Sequence, residues 1–487
     1  MKFIADFHIH SHFSVATSAS LTPEHLEYWA RLKGIDVIGT GDCVHPGWLA
    51  ELRDKLEPAG NGLFRLKKDL RLEQSRRLAG PHIPGEVFFM LSGEVSSIYK
   101  KDGRVRKVHN VCIFPDFAAA EKVQARLEKV GNIKSDGRPI LGLDSKYLLE
   151  MVLESDPMSE LVPAHIWTPW FSVLGSMSGF DSIDECYEDL TQHIHAVETG
   201  LSSDPPMNWS CSFLDRFKLV SNSDAHSPEK LGREANIFDG EVSYNGIIGS
   251  LRGPEGFLGT IEFFPQEGKY HLDGHRKCGV CWNPLETARH GGLCPVCGRA
   301  VTKGVMYRVA ELADRTPGPD GRPAFYSITR LPELLAEALG QKSAAGKSVR
   351  ALYGRMIEDL GSEFHILLFA EIADIEQAAG DRIAGGIARL RRGEVAVEDG
   401  YDGEFGRVSV FGLGPAVEGR GLFEAEESAR AERVLRPTID FDVDEFRALV
   451  ADSKADTGAG HGAGKRESAR AVTSGGLHHE QERAVAP

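Results

Sequence analysis

Histidine and carboxylate side chains are concentrated in a few short segments of this 487-residue chain, the first of them close to the N-terminus. The segment "DFHIHSHFS" places His8, His10 and His12 at alternate positions after the apolar run "MKFIA". Because alternate residues of a strand point to one face, His8 and His10 project together. Two neutral imidazoles on one face pack poorly in a core but can supply two of the ligands of a metal ion. The segment alone leaves a second interpretation open, in which paired histidines cap a sheet edge.

The same residue types recur where later apolar runs end. Taken singly, each has a structural interpretation, such as a turn-forming Asp42 or a hydrogen-bonded core His165. Together, at the ends of successive strands, they favour a multinuclear metal site. The candidate ligands are His8, His10, Asp42, His45, Glu94, His109, His165, Asp224 and His226.

Two of these candidates lie in one predicted β-hairpin. The segment "EVSSIYKKDGRVRKVHNV" turns at its "DG" dipeptide, the strongest short-range hairpin signal. Counting back from a two-residue turn pairs Lys101 with Arg104 and Ser96 with His109. Glu94 then lies on the face of His109, on the adjacent diagonal at roughly 7–8 Å. A carboxylate and an imidazole so placed can share one ion.

The elements that must position these residues alternate between apolar strands and helix-like segments up to residue 245. The first helix is predicted over "LTPEHLEYWARLKG", with Thr22 as N-cap, Pro23 in the first turn and Gly34 at the end. Such alternation is typical of a parallel α/β sheet or barrel, whose site lies at the carboxyl ends of the strands. We therefore predict an α/β fold with the ligands at one end of its strands.

Four clustered cysteines follow this region, in "CGVC" and "CPVC". Their spacing is that of a zinc ribbon. Four thiolates fill a tetrahedral shell, so this ion is predicted to be structural. The ligands would be Cys278, Cys281, Cys294 and Cys297.

The composition excludes several classes of protein. An apolar content of 41% and a charged content of 26% are typical of a soluble globular protein. We predict no membrane span, no signal peptide and, from the scattered remaining cysteines, a cytoplasmic protein without disulfides. The net charge of -15 argues against indiscriminate binding to nucleic acid but is compatible with a local basic surface. The sequence shows no Ser-His-Asp arrangement and no phosphate-cradling glycine loop.

The motifs "DFHIHS", "GTGDCVHP", "SGEVS", "KVHNV", "PAHIWTPW" and "SNSDAHS" resemble those of the polymerase-and-histidinol-phosphatase (PHP) domain. With the basic hairpin and the four-cysteine module, residues 1–420 resemble the endonuclease Q family. The resemblance implies a distorted (β/α)7 PHP barrel over residues 1–245, a zinc-ribbon module over 246–320 and a mainly helical region over 321–420. We expect residues 421–487 to form an acidic and then disordered tail.

The resemblance also implies a reaction. The family hydrolyses DNA on the 5′ side of deaminated bases (hypoxanthine, uracil, xanthine) and of abasic sites. Three divalent ions, Zn, Mn or Mg, would lower the pKa of a bound water and clamp the attacked phosphate. Glu94 and Asp224 would act in catalysis through the metals, and His12 would lie at the surface. The implied ligand sets are His8, His10, Glu94 and Asp224; Glu94, His109 and His165; and Asp42, His45 and His226.

The expected partner is double-stranded DNA that contains damaged bases. The basic hairpin tip is predicted to contact its phosphates, although a charged tip that is merely solvated is the alternative. The predicted DNA-binding residues are Lys100, Lys101, Arg104, Arg106 and Lys107.

Aromatic residues just past His165 are candidates for a lesion pocket, because an extruded base needs a surface on which to stack. The alternative is that they pack beneath a loop. These residues are Trp167, Trp170 and Phe171.

Two rival functions remain open at this stage. One is a PHP-type phosphatase or phosphodiesterase that acts on small phosphorylated metabolites, for which the zinc ribbon and the helical region have no obvious use. The other is a non-catalytic nucleic-acid module with a decayed metal site, which the complete set of candidate ligands argues against.

Overall fold

The computed structural model describes residues 1–315, 321–412 and 441–458. The strands are β1 (Lys2–Asp6), β2 (Val37–Gly39), β3 (Leu56–Pro58), β4 (Phe64–Leu66), β5 (Phe88–Lys101), β6 (Arg104–Phe114), β7 (Ile140–Leu141), β8 (Glu160–Pro163), β9 (Ala196–Glu198), β10 (Lys218–Val220), β11 (Ala235–Asp239), β12 (Phe257–Glu262), β13 (Asp273–His275), β14 (Val280–Trp282), β15 (Ala324–Ser327), β16 (Ala396–Glu398) and β17 (Arg407–Ser409).

Helices lie between these strands and after them along the described chain. The α-helices are α1 (Pro23–Lys33), α2 (Pro46–Lys55), α3 (Glu73–Arg77), α4 (Phe117–Val130), α5 (Ser145–Ser155), α6 (Ile183–Tyr187), α7 (Pro205–Trp209), α8 (Tyr244–Arg252), α9 (Pro284–Arg289), α10 (Val305–Leu312), α11 (Leu331–Ala338), α12 (Lys347–Leu360), α13 (Ile372–Ala379), α14 (Asp381–Arg391) and α15 (Val443–Gly458). Short 3₁₀ turns cover Lys68–Leu70, Glu188–His193, Ser212–Leu214, Pro228–Lys230, Pro265–Glu267 and Arg276–Cys278, and a π-helical turn covers His365–Phe369.

The central sheet is mixed, which confirms the predicted α/β class. Its order is β15-β12-β11-β1-β2-β5-β4-β3, with β6 and β7 on β5, and β8 on β6. The β1, β2 and β5 strands are parallel, whereas β6 and β11 enter antiparallel. The β9 and β10 strands form a separate parallel pair. Among the described residues, therefore, the hydrogen-bonded ladders do not close into the predicted seven-stranded barrel.

One apolar cluster nevertheless gathers these strands around a common interior. Phe3 and Ala5 of β1 belong to it, whereas Ile4 belongs to a second cluster that contains helix residues such as Leu26. The interior cluster takes residues from nine strands and from helix α8, and the strands are β1, β2, β5, β6, β8, β9, β10, β11 and β12. This alternation is what a curved sheet with helices on its outer face requires.

Helix α1 shows how local chemistry sets one outer element. It begins after Thr22 with Pro23 in the first turn and ends at Gly34, as predicted. Gly34 has φ +89°, a left-handed conformation that favours glycine at a helix end. The buried side of the helix includes Leu26 and Ala30.

The sheet extends beyond the domain boundary predicted at residue 245. The β12 strand pairs antiparallel with β11 and parallel with β15, so both add to the main sheet. The described part of the region 321–420, which is predicted to be mainly helical, contains α11, α12, α13 and α14 together with β15 and the strand pair β16–β17.

Part of the region predicted to be a disordered tail is helical. Phe446 of α15 is fully buried against Tyr307 of α10, with ring centroids 5.1 Å apart. Glu445 forms a bidentate ion pair with Arg289 of α9. Residues 421–440 and 459–487 of the predicted tail lie outside the described residues. In the part of the chain that is described, no helix is long and apolar enough to cross a membrane.

Candidate metal centre

Several candidate ligands follow directly after strands, whereas Glu94 and His109 lie within β5 and β6. His8 and His10 follow β1 and stay extended because Ile9 bridges to Ala225. His165 follows β8, and Asp224 follows β10. The φ angles of His165 and Asp224 are +27° and +46°. Such backbone strain in non-glycine residues is a common feature of functional sites.

Three overlapping groups of ligand atoms form one cluster, and within each group all atoms lie within 4.8 Å. The shared residues are Glu94 and His10. Glu94 Oε1 lies 2.6 Å from His109 Nδ1 and 3.3 Å from His165 Nε2. Glu94 Oε2 lies 3.6 Å from Nε2 of both His8 and His10. The groups are His8, His10 and Glu94; Glu94, His109 and His165; and His10, Asp224 and His226.

The donor set fits divalent metal ions. His8 Nε2 is buried and has no hydrogen-bond partner among the described residues, although it faces the carboxylates of Glu94 and Asp224 at 3.6 and 3.7 Å. A buried unpartnered imidazole nitrogen is costly unless it binds something. Imidazole and carboxylate ligands together suit Zn or Mn.

Glu198 holds His8 in position, and the sequence-based prediction missed it. Its two carboxylate oxygens lie 3.1 and 3.0 Å from His8 Nδ1. They also accept hydrogen bonds from Asn222 Nδ2 at 2.8 Å and from the backbone N–H of His165 at 2.8 Å. Burial opposes protonation of His8, but the charges of Glu198 and Glu94 outweigh it and raise the pKa of His8 well above its usual value. The sequence signal that could have identified Glu198 is its position at the end of the strand sequence "HAVE", because several candidate ligands also lie close to strand ends.

Asp42 plays the corresponding part for His10. Its Oδ2 accepts hydrogen bonds from the backbone and hydroxyl of Ser11 and from Ser14 Oγ, and its Oδ1 lies 3.1 Å from His10 Nδ1. Burial raises the pKa of Asp42, but the hydrogen bonds from His10 and Ser11 outweigh it and lower that pKa. Asp42 therefore supports a ligand and lies outside the three groups.

His45 also lies outside them. Its Nδ1 accepts the Trp48 backbone N–H and so caps α2, while its Nε2 lies 3.2 Å from the Lys134 carbonyl. Both ring nitrogens are thus occupied by the chain itself. The structure does not bring together Asp42, His45 and His226 as the third set implied by the resemblance. His12 pairs with Glu51 and is also separate from the cluster.

A cavity of about 550 Å³ opens beside the cluster. His109, His165, Asp224 and His226 line one part of it. Residues that follow the β12 strand line another part, among them Glu267, Tyr270, Arg330 and Phe405. Arg138, which the sequence-based prediction also missed, lies in this wall with its Nη1 3.2 Å from Glu94 Oε2. The cavity is therefore lined by the ligand-bearing segments, by the segment around Arg138 and by segments that follow β12.

Of the three aromatic residues predicted to form a lesion pocket, Trp170 is the accessible one. It is 37% exposed, lines the cavity and contacts Tyr270 edge to face at 5.9 Å. Phe171 lines the cavity but is 8% exposed and packs on His109 at 4.9 Å. The prediction is wrong for Trp167, which is fully buried and donates to Asn208 Oδ1 at 2.8 Å.

The hairpin β5–β6 has the predicted register. Lys101 pairs with Arg104, and Ser96 pairs with His109. Asp102 and Gly103 have φ +52° and +74°, as a type I′ turn requires. The turn chemistry therefore sets the contact between Glu94 and His109.

The basic residues of this hairpin are less free than predicted. Lys101 pairs with Glu188 at 2.6 Å, and Arg106 is 6% exposed with its guanidinium 4.0 Å from the Phe180 ring centroid. Acidic and aromatic residues of the segment 180–188 cover that face, and contact of these two side chains with DNA stays a prediction. Lys100 and Arg104 remain exposed, and Lys107 lies over the Phe171 ring.

The cysteine module differs from the prediction in one ligand. Its converging atoms belong to His275, Cys278, Cys294 and Cys297. His275 of β13 pairs with Val280 of β14. Since paired residues share a face and the next residue points to the other one, Cys281 faces away from His275. Cys281 is not among the converging residues.

Comparisons with known proteins identify relatives of this chain. Residues 330–394 match the family described as the MJ0043 C-terminal domain. An uncharacterized protein MJ0043 of Methanocaldococcus jannaschii is 33% identical over 254 residues, which are 50% of this chain and 31% of that protein. An uncharacterized protein YqxK of Bacillus subtilis is 26% identical over 423 residues, 84% of this chain and 99% of the relative. The matched part of the chain thus spans 31% of the length of the Methanocaldococcus jannaschii relative.

Two solved structures share the fold over most of the chain. The crystal structure of the lesion-specific endonuclease PfuEndoQ from Pyrococcus furiosus matches with a TM-score of 0.73 and 31% identity, over 84% of this chain and 95% of that one. A structure of endonuclease Q with a 27-mer duplex that carries an abasic lesion at the active site matches with a TM-score of 0.71 and 31% identity, over 84% and 96%. With this identity over nearly the whole of both chains, the protein belongs to the endonuclease Q family.

Proposed function

We propose that this protein is a DNA repair endonuclease that hydrolyses the phosphodiester bond on the 5′ side of deaminated bases and of abasic sites. The observation that carries the proposal is the cluster of metal-ligating side chains that lines an open cavity of about 550 Å³. Membership of the endonuclease Q family supports DNA as the substrate, since a relative was solved with a damaged duplex at its active site.

The cluster would hold up to three divalent ions, Zn, Mn or Mg, in the three groups of ligands. Glu94 would bridge the first two groups, and His10 would connect the first with the third. When bound, such ions lower the pKa of a water and neutralise charge on the attacked phosphate. In this proposal Asp42 and His45 are not ligands.

The chain's own residues prepare the site. The hydrogen bonds of Glu198 and Asp42 hold Nδ1 of His8 and of His10, which leaves Nε2 of each ring directed at the ligand cluster. Arg138 adds a fixed positive charge to the wall beside Glu94. A guanidinium in that place is suited to holding a phosphate oxygen.

The cavity has the size and lining to accept an extruded nucleotide. About 550 Å³ falls within the range of small-molecule sites. Trp170, Tyr270 and Phe405 supply aromatic surfaces, and Lys269 lies over the Phe405 ring at 4.3 Å. Aromatic faces stack on any base, so lesion choice would depend on the polar groups around them.

A chain of net charge -15 needs local positive surfaces to hold DNA. Lys100 and Arg104 at the hairpin tip are exposed. Arg276, Lys277 and Arg299 of the cysteine module are exposed as well. We propose that this module holds a structural zinc ion and contacts the duplex beside the cavity.

A nicking assay tests the function. An end-labelled duplex with one deoxyinosine or one abasic site should be cut on the 5′ side of the lesion, and the undamaged duplex should not. Removal of metal with a chelator should stop the reaction, and Mg, Mn and Zn should be compared for its recovery. Release of a free base would instead identify a glycosylase, and hydrolysis of small phosphate esters alone would favour a phosphatase.

The variant Glu94→Gln tests whether the ligand cluster is needed for nicking. It removes the carboxylate charge shared by two ligand groups but no charge that faces solvent. We expect nicking to be abolished, the metal content to fall and binding to duplex DNA to persist. A fully active Glu94→Gln enzyme would contradict the assignment.

A further inference from the structure

Lys230 lies close in sequence to the candidate ligands Asp224 and His226. It ends the 3₁₀ turn Pro228–Lys230 that follows Asp224 and His226. Its side chain is half-buried and lines the same cavity as those ligands. Within the described ranges, the structure gives Lys230 Nζ no hydrogen bond and no ion pair. A half-buried ammonium without a partner is unfavourable until an anion reaches it.

The charges around Lys230 weaken its hold on the proton. Burial, together with the neighbouring guanidinium groups of Arg233 and Arg330, lowers the pKa of Lys230 to about 8. The carboxylates of Asp224 and Glu333 act in the opposite direction and do not outweigh these causes. At neutral pH this ammonium is therefore still protonated, yet it loses its proton more readily than an ordinary lysine does.

Several other titratable groups also line the cavity. The guanidinium groups of Arg138, Arg233 and Arg330 keep their protons. Burial lowers the pKa of His271 to about 3, so its ring is neutral. Glu267 is different, because burial and the charge of Glu333 raise its pKa to about 8. Its charged neighbours are Glu333, Arg330 and Arg233, however, whereas those of Lys230 include the ligand Asp224.

We propose that Lys230 is the general acid that protonates the departing 3′ oxygen when the DNA strand is cut. The inference rests on the proposed endonuclease function. Water adds to phosphorus, and the bond between phosphorus and the 3′ oxygen breaks. That oxygen leaves with the bonding electron pair and takes the proton of Lys230 Nζ. The proton of the attacking water passes to solvent, and Lys230 is reprotonated from solvent, so the step balances.

The test compares two leaving groups under single-turnover conditions. One deoxyinosine duplex has the natural 3′ oxygen at the cut, and the other has a bridging sulfur there. A thiolate leaves without a proton, so the second duplex needs no general acid. For Lys230→Met we expect the rate on the oxygen duplex to fall about 10²–10⁴-fold at pH 7. On the sulfur duplex it should stay near the wild-type rate.

Two further variants separate proton donation from phosphate binding. Lys230→Arg keeps the positive charge but does not release a proton near pH 7, so it should bind DNA normally and show the same selective loss. Glu229→Gln, an exposed neighbour in the same turn, should behave as the wild type. Metal content and thermal midpoint confirm that each variant is folded.

The pH dependence gives an independent measurement. The wild-type rate on the oxygen duplex should fall as pH rises through about 8, because Lys230 then loses its proton. This falling limb should be absent in Lys230→Arg and on the sulfur duplex. An equal loss on both duplexes, or an unimpaired Lys230→Met, would overturn the inference. A wild-type enzyme that cuts no damaged duplex would instead refute the proposed function.

Discussion

Glu198→Gln tests how strongly a residue outside the three ligand groups controls the candidate metal centre. The substitution keeps the size of the side chain and removes its charge. Glu198 is 1% exposed, and its two oxygens face His8 Nδ1, Asn222 Nδ2 and the backbone N–H of His165. All three partners are donors when His8 carries its proton on Nδ1. A glutamine amide offers one acceptor oxygen and must turn its NH₂ toward at least one donor.

The expected magnitude follows from these contacts. Loss of a carboxylate that orients a metal-ligating histidine typically weakens metal affinity or activity about 10–100-fold. This corresponds to about 1.4–2.8 kcal/mol. The misplaced NH₂ group and the loss of the hydrogen bond to His165, itself a candidate ligand, place the expected effect near the upper end of that range.

The assay is a titration of metal-free protein with Zn or Mn against a competing chelator, followed by nicking of the abasic duplex at saturating metal. We expect weaker metal binding and a partial recovery of the rate when the metal concentration is raised. Glu160→Gln is the matched control, because Glu160 is also 1% exposed and holds His195 Nδ1 at 2.7 Å, but it does not line the cavity. It should lower thermal stability and leave metal affinity unchanged. Equal metal affinities of Glu198→Gln and wild type would refute the positioning role.

Three further predictions concern the surroundings of the site. His275→Ala should remove the zinc of the cysteine module, whereas Cys281→Ser should retain it, as elemental analysis would show; the opposite result would restore the four-cysteine site. Replacement of Lys100 and Arg104 by glutamate should weaken binding to damaged and undamaged duplexes alike and reduce the slope of log affinity against log salt by about 1.8, at about 0.9 for each phosphate contact. An unchanged slope would place the DNA-binding surface elsewhere. Phe446→Ala should weaken the docking of α15 by about 3 kcal/mol and make that helix more sensitive to proteolysis, and equal cleavage rates would count against this packing.

Local patterns in the sequence were sufficient where neighbouring residues set the geometry. The Asp102-Gly103 turn sets the register of β5 and β6, and that register brings Glu94 to His109. Helix α1 is bounded by residues at its own ends. His8, His10, His165 and Asp224 each follow a strand and lie in one cluster, because these strand ends lie at one edge of the structure.

Only the tertiary structure decided which of these residues face one another across the site. His8 and Glu198 are 190 positions apart in the chain, and no local pattern relates them. Asp42 and His45 are of the same residue types as the members of the three ligand groups, but their polar atoms form hydrogen bonds with other segments of the chain. The spacing of the cysteines could not reveal His275, since the pairing of β13 with β14 determines which side chains share a face. Residue type and spacing thus indicated the kind of chemistry. Which residues form the candidate site depends on long-range packing, because the hydrogen bonds and the burial of each side chain depend on segments far away in the sequence.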